Sequence, residues 1–371
     1  GGILYLDGQF DDARLALALA LTAVEQGASA LNHFPVVGLL KDGEKLAGVR
    51  ARDDETGEEY DVRARSVVNA TGVYGDAIRH LDEPEAPSVL APSQGAHIVL
   101  DRSFLPGATA VMVPKTDDGR VLFAIPWHDR VLVGTTDVPL SQTPTEPRPL
   151  KEEVDFLIRH AGLYLENAPT IRDIKSQFAG LRPLIDARLG KDRTTAKLSR
   201  EHAVIVADSG LITVSGGKWT TYRAMAEDAV DQTALVGGLP SAACDTAELK
   251  LHGWTAEPSP ADGSMAVYGA DLAQLRALIE QEPGGSNRLH PALPYVEGEV
   301  VWAARNEAAR SVEDVLARRT RALFLDARAS IDAAPRVAAI LARELGRDDA
   351  WRDDQTARFR RPAATYLPDS E

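Results

Sequence analysis

Ser215-Gly216-Gly217-Lys218-Trp219-Thr220-Thr221-Tyr222-Arg223 sets two adjacent glycines, a lysine and two threonine hydroxyls directly after a short apolar run at 211–214. A strand that ends in glycines and turns into a helix, here read from residue 224 onward, builds an anion-binding corner. The first helical N–H groups have no internal partners, and the helix dipole adds positive charge there. Glycine lets a flat ligand come close, while Lys218, Thr220 and Thr221 supply donors at its edge. Three other residues invite a chemical reading. Arg182 stands between Leu181 and Pro183, an unusual setting for a solvated charge. Arg200, before Glu201-His202, carries a planar fork that can pair with anions in general. His97 opens an apolar run after Gly95-Ala96, where a neutral imidazole could accept a proton or hydrogen-bond a substrate. Against each stands a plainer reading: a structural turn, a buried ion pair, a loop charge and a packed strand histidine.

The elements that would position these residues follow from periodicity. Residues 13–26 are rich in leucine and alanine, start after Asp11-Asp12 and end at Gly27, the signature of a buried helix packed on a sheet. Apolar runs at 36–40, 46–49 and 60–62, separated by Lys41-Asp42-Gly43 and Glu55-Thr56-Gly57, read as a meander. Residues 66–72 form an apolar strand ending in Ala70-Thr71-Gly72, followed by a helix over 74–81; in a doubly wound sheet, this is where a dinucleotide touches backbone. Four strands at 97–100, 110–113, 121–125 and 130–134 alternate as an antiparallel sheet. A helix at 151–166 precedes strands at 203–207 and 211–214. Beyond a Gly/Pro/Ser/Ala-rich linker, 241–262, apolar residues recur at helical spacing in Val296, Val300, Ala304 and Ala308, then Val312, Val315 and Leu316, and again Val337, Ile340, Leu341 and Leu345.

Composition bounds the function. The 371 residues carry 41 basic and 55 acidic side chains, a net charge of −14, which argues against general nucleic-acid binding through a positive surface. One cysteine, Cys244, excludes an internal disulfide and a cysteine metal cage, and the eight histidines lack zinc-site spacing, so no metal is assigned. No apolar run approaches the roughly 20 residues that span a bilayer. The start, Gly1-Gly2-Ile3-Leu4, lacks the marks of a secretory leader and reads as the interior of a longer chain. The C-terminal arginines at 305, 310, 318, 319 and 321 interleave with acids and read as a solvated, ion-paired face.

Several strings together resemble the flavin-dependent, quinone-linked glycerol-3-phosphate dehydrogenases: residues 7–15, 67–72, 95–97, 114–120, 125–127, 134–137, 180–184, 198–202, 216–223 and 312–326. The resemblance covers nearly the whole chain. It implies an α/β plus α fold: an incomplete FAD-binding doubly wound domain, interleaved with an antiparallel-sheet substrate domain over about 90–210 within residues 1–240, then a C-terminal helical domain at 263–371. It further implies oxidation of glycerol 3-phosphate to dihydroxyacetone phosphate with FAD as cofactor and a quinone as acceptor. The site residues so implied are His97 and Arg182 for catalysis and substrate, with Arg200 and Lys218 also on the substrate. Thr71, Gly72, Gly216, Gly217, Lys218, Thr220 and Thr221 would contact FAD, while Thr135, Thr136 and Asp137 form the sheet edge near the substrate or a plain hairpin exit. Whether His97 acts as base or only as a hydrogen-bonding group stays open, as does oxygen in place of quinone, or a non-catalytic scaffold. A homodimer and a cytoplasmic protein resting peripherally on the inner face of the cell membrane belong to the same implication. The family's G-x-G-x-x-G turn occurs nowhere in the sequence, so this stretch of chain is expected to hold FAD weakly or not at all.

Overall fold

Asp11 caps helix α1 (Asp12–Glu25), its carboxylate accepting from the Arg14 N–H at 3.1 Å. The computed structural model describes residues 3–114, 116–117, 119–185, 202–257 and 260–368, so Arg200 lies outside the described residues. The expectation that α1 is buried on a sheet is not met: Thr22 is its one buried residue, and the helix packs against the Asp314–Arg319 turn of the C-terminal region. An unbroken Ala/Leu run has apolar groups on every face, so it names no buried side. What orients α1 is Arg14, whose Nη1 donates to the buried Glu307 at 2.9 Å.

Strands β1 (Val36–Asp42), β2 (Lys45–Arg52) and β3 (Glu59–Arg63) form the expected antiparallel meander. Next come β4 (Val67–Asn69), a 3₁₀ turn at Gly72–Tyr74 and α2 (Gly75–Asp82). The main sheet uses β5 (Ser93–Asp101), β6 (Val111–Val113), β7 (Leu122–Trp127), β8 (Arg130–Gly134) and β9 (Val138–Pro139). Helix α3 (Lys151–Gly162) precedes β10 (Ser176–Arg182), a strand the periodicity does not announce. The order is β10-β5-β8-β7-β6, antiparallel throughout, with β9 paired to one end of β5.

Alternation along β5 divides its residues between two faces. Ala96, Ile98 and Leu100 join Leu122, Ala124, Val131 and Val133 in a core covered by Val154, Leu157 and Ala161 of α3. Gly95 and His97 take the opposite face. There His97 stacks on Phe178, its cross-strand partner, at 5.1 Å between ring centres. Phe178 in turn meets Phe324 edge-on at 4.8 Å.

A third sheet holds β11 (His202–Val206), β12 (Leu211–Gly216) and β4, in the order β11-β12-β4; β12 and β4 run parallel, with Thr213 beside Asn69. Helix α4 (Tyr222–Gly237) follows β12 after a 3₁₀ turn at Trp219–Thr221. The remaining helices are α5 (Leu272–Gln281), α6 (Glu297–Asn306), α7 (Ala322–Leu325), α8 (Ala327–Leu345) and α9 (Asp349–Ala363). Their core contains Val300, Val312, Val315, Leu316, Val337, Ile340 and Leu341, with Ala304 and Leu345 partly buried against it, whereas Ala308, which helical spacing also selects, stands exposed at φ 52° just past the end of α6. Burying each such side chain stabilises the fold by about 1.5–3 kcal/mol.

The C-terminal arginines are ion-paired, as their sequence pattern suggests, but not all are solvated. Arg319 and Arg321 are only 10% and 12% exposed. Arg321 sits over the Phe324 ring at 4.4 Å and the Trp127 ring at 5.6 Å, with Asp11 at 3.6 Å, while Arg319 donates to the Glu307 carbonyl. Arg319 pairs within its own turn with Asp314 at 4.0 Å, whereas Arg321 is buried against Asp11 and Asp12 at the start of α1, which interleaved charge within one helix cannot reveal. No helix among the described residues is long and apolar enough to cross a membrane.

Candidate functional site

Two groups of residues carry the chemistry, one on the main sheet and one at the ends of the β4–β12 pair. The first is built around the last residue of β10. Arg182 Nη2 donates to Thr135 Oγ1 at 3.1 Å and to the Thr136 carbonyl at 3.0 Å, and Nη1 donates to Asp137 Oδ1 at 3.3 Å. The guanidinium lies directly on Gly95: a Cβ added there would stand 2.4 Å from Arg182 Nη2 and 2.5 Å from Thr135 Oγ1. Only glycine leaves room at this point of β5. Asp137 also faces Arg120, 3.9 Å from Nη2, so one carboxylate stands between two guanidinium groups.

His97 occupies the same face, one β5 alternation from Gly95. Its ring is held between Phe178 and the backbone of Gly134, where a Cβ would come within 2.1 Å of Cδ2 and 2.7 Å of Nε2. Nδ1 is buried with no hydrogen-bonding partner among the described residues. Burial, and then the Arg182 charge, lower the imidazole pKa from 6.5 to about 4, with the Gly95 backbone acting in the opposite sense. The ring is therefore neutral at pH 7.

The edge beneath is tied from inside the core. Thr136 Oγ1 accepts from Ala96 N–H at 2.8 Å and donates to Glu153, which also accepts from Gln94 Nε2 at 2.7 Å and Leu150 N–H at 2.9 Å. Sequence reasoning singled out Thr136 and missed Glu153 and Gln94. An acid in a helix's first turn is so common that nothing distinguishes one that reaches into the sheet.

The second group lies beyond the carboxyl ends of the parallel strands β4 and β12, the position at which doubly wound sheets bind nucleotides. Asn69 fixes the first turn: its side-chain N–H groups reach the Gly75 carbonyl at 2.9 Å and Thr213 Oγ1 at 3.2 Å, and its Oδ1 accepts from Thr71 Oγ1 at 2.7 Å. Gly72 follows at φ 58°, with open space where a Cβ would stand. Gly216 and Gly217 have φ of 72° and 76°; a Cβ on Gly217 would meet Met225 Sδ at 2.4 Å. Helix α4 starts at Tyr222, two residues before the sequence suggests, because Thr221 Oγ1 closes the preceding turn onto the Lys218 carbonyl at 3.0 Å. Lys218 and Thr220 are exposed, and Lys218 forms no ion pair among the described residues.

The groups are linked by the chain leaving β10. Ala91 N–H donates to the Leu184 carbonyl at 2.8 Å, and Leu90 bridges to Ile185. A Cβ on Gly75 would touch Leu90 Cδ1 at 3.6 Å and Thr213 Cγ2 at 3.8 Å, so this junction packs on the turn after β4. The structure thus brings together His97, Thr135, Thr136, Asp137 and Arg182 in one cluster, and sets Thr71 and Gly72 after β4 and Gly216, Gly217 and Lys218 after β12, at the same end of two parallel strands.

A glycine-lined crevice at parallel strand ends, joined to an antiparallel sheet bearing a neutral histidine and an ordered arginine, is the two-part plan of a nucleotide-cofactor oxidoreductase. Residues 1–223 match the family described as FAD dependent oxidoreductase, and residues 212–352 match the C-terminal domain of alpha-glycerophosphate oxidase. The chain belongs to the FAD-dependent oxidoreductase family. It is 36% identical over 382 residues to the mitochondrial glycerol-3-phosphate dehydrogenase of Macaca fascicularis, covering 96% of this chain and 52% of that protein. To the mitochondrial glycerol-3-phosphate dehydrogenase of Arabidopsis thaliana it is 39% identical over 377 residues, covering 93% of this chain and 59% of that one. The X-ray structure of the glycerol-3-phosphate dehydrogenase from Bacillus halodurans complexed with FAD is similar at a TM-score of 0.83 and 28% identity, over 97% of this chain and 74% of that one. The chain spans about half the length of the curated relatives it matches.

Proposed function

We propose that this chain carries the substrate side and the glycine-lined flavin edge of a glycerol-3-phosphate dehydrogenase, which oxidises sn-glycerol 3-phosphate to dihydroxyacetone phosphate and passes the electrons to a quinone. The observation that supports this most is the Arg182 fork, held at 3.0–3.3 Å on Thr135, Thr136 and Asp137 across Gly95, beside a neutral His97. The same reading divides the chain into an oxidoreductase part over 1–240, a linker over 241–262 and a helical part over 263–371.

FAD, when bound, supplies the acceptor for the hydride equivalent. The residues present fit it: Gly72 leaves open space where a Cβ would stand, Gly216 and Gly217 allow close approach, and Lys218 offers an exposed cation. Thr71, Thr220 and Thr221 complete the proposed cofactor contacts. Arg182, with Arg200 from the segment outside the described residues, holds the phosphoester, since a fixed guanidinium loses little freedom on binding an anion. His97 accepts the hydrogen bond of the secondary hydroxyl. A phosphate dianion beside Arg182 offsets the positive charge that depresses His97, so substrate binding makes the ring a better proton acceptor.

Titrating sn-glycerol 3-phosphate into the full-length protein loaded with FAD (hereafter the FAD-loaded protein) tests the reading. Arg182→Met is expected to weaken binding by about 10²-fold or more, the scale of a lost charge-assisted pair; unchanged affinity would overturn the assignment. A second acceptor, oxygen, is favoured by the match of residues 212–352 to the C-terminal domain of alpha-glycerophosphate oxidase. Stoichiometric peroxide release, with no reduction of a quinone analogue, would decide for it.

A further inference from the structure

We propose that Glu153 is a positioning residue for Arg182, acting through Thr136 from the opposite face of the main sheet. The inference rests on the reading of Arg182 as the residue that holds the substrate.

Glu153 lies in the first turn of α3 and is 4% exposed. Among the described residues it forms no ion pair, and its carboxylate accepts from three neutral donors: Leu150 N–H, Gln94 Nε2–H and the Thr136 hydroxyl. Capping the helix requires only the first of these, through Oε2. Oε1 is left over for Thr136, which has no part in the cap. A buried carboxylate costs several kcal/mol unless its lone pairs are filled, so the Thr136 bond is a firm one.

Thr136 passes this constraint in two directions. Its Oγ1 accepts from Ala96 N–H at 2.8 Å, which fixes β5 between Gly95 and His97. Its carbonyl accepts from Arg182 Nη2 at 3.0 Å and from Thr135 Oγ1 at 3.1 Å, and that threonine oxygen is itself the second seat of Nη2. Holding the Thr136 side chain thus sets the carbonyl and hydroxyl on which the guanidinium rests. The register of β5 under it is set by the same bond. Asp137, shared with Arg120, holds the other nitrogen of the fork.

The test uses FAD-loaded protein with Thr136→Val, which keeps the shape and removes the hydroxyl, Thr136→Ser, which restores it, and Glu153→Gln. Two quantities are read: the dissociation constant of sn-glycerol 3-phosphate by calorimetry, and the His97 titration by NMR of the imidazole carbons. Thr136→Val and Glu153→Gln are expected to weaken binding about tenfold, the scale of one buried hydrogen bond to a charged group. As the guanidinium drifts, the His97 titration moves up from about 4. Thr136→Ser is expected to return both values to those of the parent. A fall in melting temperature with affinity and titration unchanged would overturn the proposal and leave Glu153 a helix cap. Arg182→Met separates the two claims. If it leaves affinity intact, the reading of Arg182 has failed; if it abolishes binding while Thr136→Val does not weaken it, only the role of Glu153 has.

Discussion

Placing a methyl group on Gly95 should displace the arginine above it without replacing any residue proposed to meet the substrate. The added Cβ would lie 2.4 Å from Arg182 Nη2, where ordinary contact begins at 3.4 Å, so the guanidinium must retreat by about 1 Å. Strand β5 cannot yield in its place, because it is hydrogen-bonded on both sides, by β10 and β8. A displacement of about 1 Å in a positioning group costs on the order of 10²-fold in rate, about 2.7 kcal/mol. Gly180 is the cross-strand partner of Gly95, and a Cβ there meets nothing within 4 Å, so Gly180→Ala is the matched control. The assay is kcat/KM for sn-glycerol 3-phosphate in the FAD-loaded protein with an artificial acceptor, alongside the melting temperature. Gly95→Ala is expected to lose about 10²-fold and Gly180→Ala less than about twofold. Full activity in Gly95→Ala, or equal losses in both, would refute the reasoning.

Three further outcomes follow from the same coordinates. His97 is held neutral, with its folded pKa near 4 against 6.5 in the free side chain, so the unfolded chain takes up the proton first as pH falls. Stability is therefore lost between pH 6.5 and 4, by at most about 3 kcal/mol, and His97→Gln should flatten that part of a urea-denaturation pH profile. Arg14→Met leaves the Glu307 carboxylate, 2% exposed, facing Trp302 Nε1 without its cation. It should cost about 3–5 kcal/mol in denaturant unfolding, and Arg14→Met with Glu307→Gln distinctly less. Gly217→Ala forces a Cβ to within 2.4 Å of Met225 Sδ at a φ of 76°, so flavin affinity measured by fluorescence should fall at least tenfold while binding of an antibody to the distant α8–α9 surface stays unchanged.

What the sequence conveyed is what local pattern encodes. The meander, the β5–β8 strands, the parallel strand before Thr71 and the helical C-terminal core all obey period 2 or 3.6, and the structure places them where periodicity did to within a few residues. Strand β10 was not legible: Ser176-Gln177-Phe178-Ala179-Gly180-Leu181-Arg182 does not alternate cleanly, because Phe178 packs on His97 and Gly180 stands exposed beside Gly95. Helix α1 misled for the opposite reason, since apolar residues all round imply burial but a single arginine decides its place. In the candidate site, His97, Arg182 and the glycines stood out by type and neighbours. Glu153, Gln94 and Glu307 did not, since their roles come from partners 17, 59 and 293 residues away in the chain.

Mixing the FAD-loaded protein anaerobically with sn-glycerol 3-phosphate and following the oxidised-flavin absorbance tests the central claim most directly. Stoichiometric bleaching with one equivalent of dihydroxyacetone phosphate, lost in Arg182→Met, is the expected result. A flavin that stays oxidised at saturating substrate, or bleaches equally well without Arg182, would contradict it.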